Sequence, residues 1–318
     1  MTRKSLIGML RAGIASAALF LAGAAIPVIG GFAMLFAPAP VLVYAVGRPG
    51  AIFRSALAVF LAATLTTFAA GWIAGVAFLS TFGFGTIALG AMLERKYPFE
   101  RIVTVTAAIM MASGICVALL VLGSPDALLN AVRSSLQAGM ARGQEVYKSM
   151  GIDQAIPADA QVTIIETTVR LSPALLAITS AAIALVNLGV FWRWAGRQRM
   201  TSELFGDLTK WSTPEWLIWV LLATGFGLFI PIAPVQTIAL NAFICVTAVY
   251  FCHGLAIMSF YFTMIAMPPI ARGAIYLIAC VQPVLAALVC AAGVFDLWID
   301  FRRLKPPSQE AGNFGDFL

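Results

Sequence analysis

Six stretches of this chain run for 22 to 56 residues without one Asp, Glu, Lys or Arg: 12–47, 55–93, 102–125, 171–192, 216–271 and 273–295. A helix needs about 20 apolar residues to cross the hydrocarbon of a bilayer. The three longest stretches therefore hold two spans each and the others one. The expected fold is an all-α, polytopic integral membrane protein of about nine transmembrane helices. Breaks within the long stretches fall at Ile29-Gly30-Gly31, between Gly71 and Gly75, and at Pro231-Ile232-Ala233-Pro234. Only 34 of the 318 residues are charged (20 basic, 14 acidic), against about a quarter in soluble domains. That excludes a soluble enzyme or a nucleic-acid binder and makes the lipid bilayer the first partner.

The net charge of +6 then reads as loop charge that orients the chain. Arg3, Lys4 and Arg11 precede the first span, which favours a cytoplasmic N-terminus. With that start, Arg48 and Arg54, then Arg95, Lys96 and Arg101, then Arg193, Arg197, Arg199 and Lys210 fall inside. The turns near 30, 73 and 232 fall outside and carry no charge. The implied location is a membrane with the cytoplasm on the side of these basic loops. Nine spans place Arg302, Arg303 and Lys305 outside, so either the basic C-terminal end is an exception or one apolar segment is re-entrant. Arg3-Lys4 with Ala22-Gly23-Ala24 also resembles a secretory signal, but the apolar run continues through Pro27 to Val46. An uncleaved first span is expected.

Residues 123–170 form the one long hydrophilic insertion, and this orientation puts them outside. Ser124-Pro125-Asp126 reads as a helix start. Leu128, Val132, Leu136 and Met140 follow at helical spacing, and Val162, Ile165 and Val169 mark a second helix. Such a pair either lies on the bilayer surface or forms a lid over an outward cavity. Five of the seven tryptophans lie between 192 and 219, as interfacial anchors do.

Polar groups at bilayer depth are where function is sought, because each is costly there. The candidate contacts are Asn187, Asn241, Tyr250, His253, Gln282, Asp296 and Asp300, with Arg303 in reach of Asp300. Pro38 and Pro40 join them, because two prolines free backbone carbonyls that lipid cannot satisfy. This break is either a simple kink or part of a solute site. His253, the only histidine, is either a proton relay or an interhelical strut. As a strut it should tolerate glutamine, which keeps donor and acceptor capacity. One histidine and five dispersed cysteines offer no metal set, and no nucleophile motif or phosphate loop occurs. Neither an enzyme nor a cofactor is expected.

Several of these segments together resemble the YybS-like family of uncharacterised bacterial membrane proteins (domain of unknown function 2232). They are Phe36-Ala37-Pro38-Ala39-Pro40 with Gly47, and Trp211 to Trp219 around Pro214. His253-Gly254-Leu255-Ala256 matches a place where the family has Gln-Gly-Leu-Ala. Gly293-Val294-Phe295-Asp296-Leu297-Trp298-Ile299-Asp300-Phe301-Arg302-Arg303-Leu304 is the most specific match. That family is similar in fold to the substrate-binding S-components of energy-coupling-factor transporters. The resemblance implies a six-span module over 1–200, with 123–170 as its external insertion, and a three-span module over 201–318. It also implies a small-solute-binding or transport-related component. The alternative is a non-transporting scaffold that assembles with membrane or envelope protein partners.

Overall fold

The computed structural model describes residues 3–26, 29–48, 50–151, 157–197 and 208–303. Pro27, Arg199, Leu304 and Lys305 lie outside the described residues. Every regular element among those described is helical, and the chain divides into two compact units, Met1–Phe205 and Gly206–Leu318.

The first unit contains α1 (Arg3–Ala25), α2 (Ile29–Met34), α3 (Ala39–Ala45), α4 (Ala51–Ala70), α5 (Trp72–Phe78), α6 (Phe84–Glu94), α7 (Phe99–Leu122), α8 (Pro125–Ser149) and α9 (Ala158–Arg197). A π-helical turn, Leu79–Gly83, joins α5 to α6. Tight reversals occur where glycine takes a positive φ: Gly50 (75°) before α4, Gly71 (89°) after it and Gly123 (83°) after α7. Phe20 of α1 meets the rings of Phe78 and Phe82 edge-on, with centroids 5.3 and 5.8 Å apart. Ala58, Ala62 and Ala63 of α4 fill the same core.

Charge is segregated in this unit. Arg54 Nη1 donates to Ser5 Oγ at 2.8 Å, and Glu94 Oε1 accepts from the Gly50 and Ala51 amides at 3.2 and 3.3 Å. Leu188, Phe191 and Ala195 of α9 pack with Val46, Leu93 and Ile102. The starts of α1, α4 and α7 and the ends of α3, α6 and α9 therefore share one end. There Arg48, Arg54, Arg95, Lys96, Arg101, Arg193 and Arg197 collect. The uncharged turn at Gly71 and the turn at Gly123 lie at the other end. Since α1 and α4 start at the same end, α2 and α3 must return the chain between them, although they are short and broken.

From Gly123 the chain enters α8 under the cap expected from its sequence, with Ser124 Oγ accepting from the Ala127 amide at 3.1 Å. The second helix of the insertion does not stop at residue 170. α9 runs unbroken for 40 residues, about 60 Å at about 1.5 Å per residue, or twice the hydrocarbon thickness of about 30 Å. Its first turns and α8 form an antiparallel hairpin directed away from the spans. Arg133 Nε and Nη2 grip both oxygens of Glu166 at 2.7 and 3.0 Å across it. That contact, by its hydrogen bonds first and its charge second, holds the Arg133 guanidinium above its ordinary pKa.

The second unit contains α10 (Leu217–Gly227), α11 (Ala233–Met264), α12 (Pro269–Val281) and α13 (Pro283–Ile299). Contacts between α11 and α13 advance together. Thr247 O meets Cys290 Sγ at 3.6 Å, His253 meets Asp296, and Tyr261 donates its hydroxyl to Phe301 O at 2.7 Å. The two helices are parallel. α12 and α13 are bent by 100° at Gln282-Pro283. α12 starts just after α11 ends, and α13 finishes beside the C-terminal half of α11. The bent pair thus enters and leaves at one end, as a re-entrant segment does. Arg302 confirms the parity by donating to Thr209 O and Trp211 O at 2.8 and 2.9 Å. The basic C-terminal end lies beside the 208–213 segment, not across the membrane from it. These contacts fit the re-entrant alternative read from the sequence.

Six described helices are long and apolar enough to cross a membrane, or seven counting the bent pair as one span. Two shorter apolar segments, Ile29–Ala45 and Leu217–Gly227, complete the set.

α11 and α13 meet backbone to backbone. A Cβ on Gly254 would fall on the Val289 carbonyl, and one on Gly293 on the Tyr250 carbonyl and 2.9 Å from the Gly254 amide. Small residues permit such approach where helices associate without a hydrophobic drive. Gly293→Ala should therefore destabilise the second unit by about 1–3 kcal/mol through overpacking. Gly273→Ala, where a Cβ meets nothing within 4 Å, should change little. Thermal unfolding of both variants in one detergent checks this.

Candidate functional site

Two places gather polar groups inside the helices, one in each unit. In the first, Leu35 to Pro38 separate α2 from α3, and neither proline can donate to a helix ladder. Short turns recover part of the loss: the Ala37 amide donates to Met34 O and that of Ala39 to Phe36 O, both at 3.0 Å. Side chains take the remaining carbonyls. Asn187 Nδ2 of α9 donates to Leu35 O at 2.8 Å, and Ser16 Oγ of α1 donates to Ala37 O at 2.7 Å. Pro38 is buried and Pro40 half-buried. The break faces protein, as backbone satisfaction requires, and it is packed rather than open at these residues. Asn187 is fully buried, and its Oδ1 has no hydrogen-bond partner.

In the second unit, α11 brings His253, α13 brings Asp296, and the turn after α13 brings Arg302. The segment before α10 adds Trp211 and Thr213. Asp296 Oδ2 accepts from Arg302 Nη2 at 2.8 Å and lies 3.1 Å from His253 Nε2. Arg302 Nη2 is itself 2.9 Å from that imidazole nitrogen. Thr213 Oγ1 meets His253 Nδ1 at 3.1 Å, and the Trp211 ring stands edge-on to the imidazole with centroids 6.0 Å apart. Asp296 Oδ1 accepts from the Phe301 amide at 2.9 Å. His253, Asp296 and Arg302 are 2, 6 and 5% exposed, so this is a desolvated ion pair with a histidine wedged against it. Arg302 Nε is buried without a partner. Tyr250, one turn before His253 and fully buried, approaches Thr213 without completing a hydrogen bond.

The other candidates stand apart. Asn241 donates to Thr237 O of its own helix at 2.8 Å. Gln282 sits exposed at the elbow between α12 and α13. Asp300 ends α13 in a left-handed conformation, φ 46°, and the Arg303 amide bonds its carbonyl at 2.9 Å. At this helix end the buried ion pair joins Arg302 to Asp296. A residue six places on is out of reach while the helix continues. It comes within reach because the chain reverses at Asp300. Sequence spacing gave no signal for that reversal, nor for Ser16 or Thr213. Among the described residues no group of His, Cys, Asp and Glu is placed to hold a metal.

A family model described as "Predicted membrane protein (DUF2232)" matches residues 14–297, and the chain belongs to that family. No curated protein and no solved structure matches it.

Both residues of the ion pair are out of water, so removing one strands the other. Asp296→Asn and Arg302→Met should each cost about 3–5 kcal/mol. The double variant should cost clearly less than their sum, and a double-mutant cycle on detergent unfolding reads the coupling.

Proposed function

We propose that this member of the predicted-membrane-protein family is an assembly component of the bacterial cytoplasmic membrane. In this reading its N-terminus is cytoplasmic, and its α8–α9 hairpin stands outside and docks a protein partner of the membrane or envelope. The observation that carries the reading is the hairpin itself. α8 buries no residue, yet Leu129, Val146 and Tyr147 on it and Val162 and Ile164 on α9 are 40 to 61% exposed. Large apolar side chains left exposed on a polar, projecting element suit a protein contact. The Arg133–Glu166 brace suits it too, because it keeps the two helices in register before a partner arrives.

The second reading is a small-solute-binding, transport-related component like the S-components. A specific observation favours it: the broken second pass lies against Asn187, whose buried Oδ1 is an acceptor ready for a solute donor. Against it, the carbonyls freed by the break are already taken by Asn187 and Ser16. Neither reading calls for enzymatic activity or a cofactor.

A photo-crosslinking residue at Tyr147 or Ile164 should give a discrete protein adduct in cells. The same residue at Phe68, at the lipid-facing end of α4, should not. Vitamin-sized material retained through purification without added ligand, with no adduct at the hairpin, would replace the assembly reading by the solute reading.

A further inference from the structure

We propose that His253 is a proton-binding site that controls whether Arg302 stays latched to the 208–213 segment. The proposal does not depend on whether the molecule assembles partners or carries a solute. Its basis is the triangle formed by His253 Nε2, Asp296 Oδ2 and Arg302 Nη2, whose edges are 3.1, 2.8 and 2.9 Å. A guanidinium has only donors. The Nη2–Nε2 edge is therefore a hydrogen bond only while Nε2 presents its lone pair. Nδ1 then carries the ring proton and donates to Thr213 Oγ1. In that state Arg302 and Asp296 balance each other's charge, and the imidazole adds none.

A proton arriving on Nε2 reverses this edge. An N–H then faces an N–H at hydrogen-bond distance, and two cations share one buried carboxylate. The imidazolium turns its new donor to Asp296 Oδ2, 3.1 Å away, and one cation must give way. His253 is fixed within α11, which Gly254 holds directly against α13. Arg302 lies beyond the end of α13, in a two-residue turn, and its Nε is buried without a partner. The arginine is the group that leaves, and with it go the bonds to Thr209 O and Trp211 O.

The groups around the imidazole support this assignment. α13 and the turn after it present Asp296 and Arg302, and α11 itself presents Tyr250. The side facing α10 is apolar, with Leu217 and Leu221. The 208–213 segment offers Trp211 and Thr213, while Lys210 and the nearby Glu215 are exposed. Among the described residues no second carboxylate is in contact with the imidazole to neutralise an added proton. The latch is held at pH above the histidine range and released below it.

Amide hydrogen exchange of the full chain in lipid nanodiscs reads the latch, corrected for intrinsic rates at about pH 8 and about pH 5, on either side of the ordinary imidazole value. Protection of the 299–303 and 209–213 amides should fall by about tenfold or more at the acid value, as expected of a local opening. Peptic peptides from α7 should not change. His253→Gln cannot titrate and should show the same protection at both values; if it does not fold, His253→Asn takes its place. Acid loosening of equal size in the wild type and the non-titrating variant would overturn the proposal, as would none in either.

Discussion

Hydrocarbon offers a peptide group nothing to bond, so every interruption of a helix at bilayer depth must be made good by protein. This constraint explains the placement of Ser16, Asn187 and Asp296. The Pro38-Ala39-Pro40 break is tolerated because α9 supplies Asn187 and α1 supplies Ser16. Several hydroxyls at depth bond carbonyls of their own helices, as Thr66 does with Ala63 O and Thr86 with Phe82 O. The reversal after α13 obeys the same logic. Asp296 caps the Phe301 amide with one oxygen and holds Arg302 with the other, so one carboxylate both ends the helix and anchors the turn beyond it.

Charge segregation builds on that scaffold. In the first unit the helix starts and ends that carry Lys and Arg are gathered at one end by direct contacts, Arg54 to Ser5 and Glu94 to the start of α4. In the second unit Arg302 reaches back to Thr209 and Trp211. The parity of the second unit then depends on its 100° elbow, which turns an apolar segment of span length into one that returns to the side it came from. Gly254 and Gly293 make this arrangement compact, since only glycine lets α11 and α13 touch backbones there.

The membrane class and the helical breaks were legible because they derive from charge-free length and from glycine and proline, which act locally. The hairpin start was legible for the same reason: Ser124 and Pro125 act within one turn. The singling out of Asn187, Tyr250, His253 and Asp296 as buried polar groups rested on their positions in apolar runs. Their partners were not legible. Arg302 looked like loop charge, because burial of an arginine depends on a fold-back and on a loop about 90 residues away in sequence. The basic C-terminal end hinted at a re-entrant segment, but the place of the elbow was not legible. Gln282-Pro283 reads equally as a kink within a span, and only the parallel course of α11 and α13 distinguishes the two.

Sidedness is the property on which the fold of both units turns, and single-cysteine labelling with a membrane-impermeant reagent measures it directly. A functional background without Cys116, Cys245, Cys252, Cys280 and Cys290 would carry a cysteine at Lys96, Lys210, Arg303 or Met140, one at a time. Within the second unit Lys210 and Arg303 should be modified from one face of the membrane; within the first, Lys96 and Met140 should be modified from opposite faces, with Met140 reached from outside intact cells. Labelling of Arg303 from the face opposite to Lys210 would contradict the re-entrant elbow, and with it the fold of the second unit.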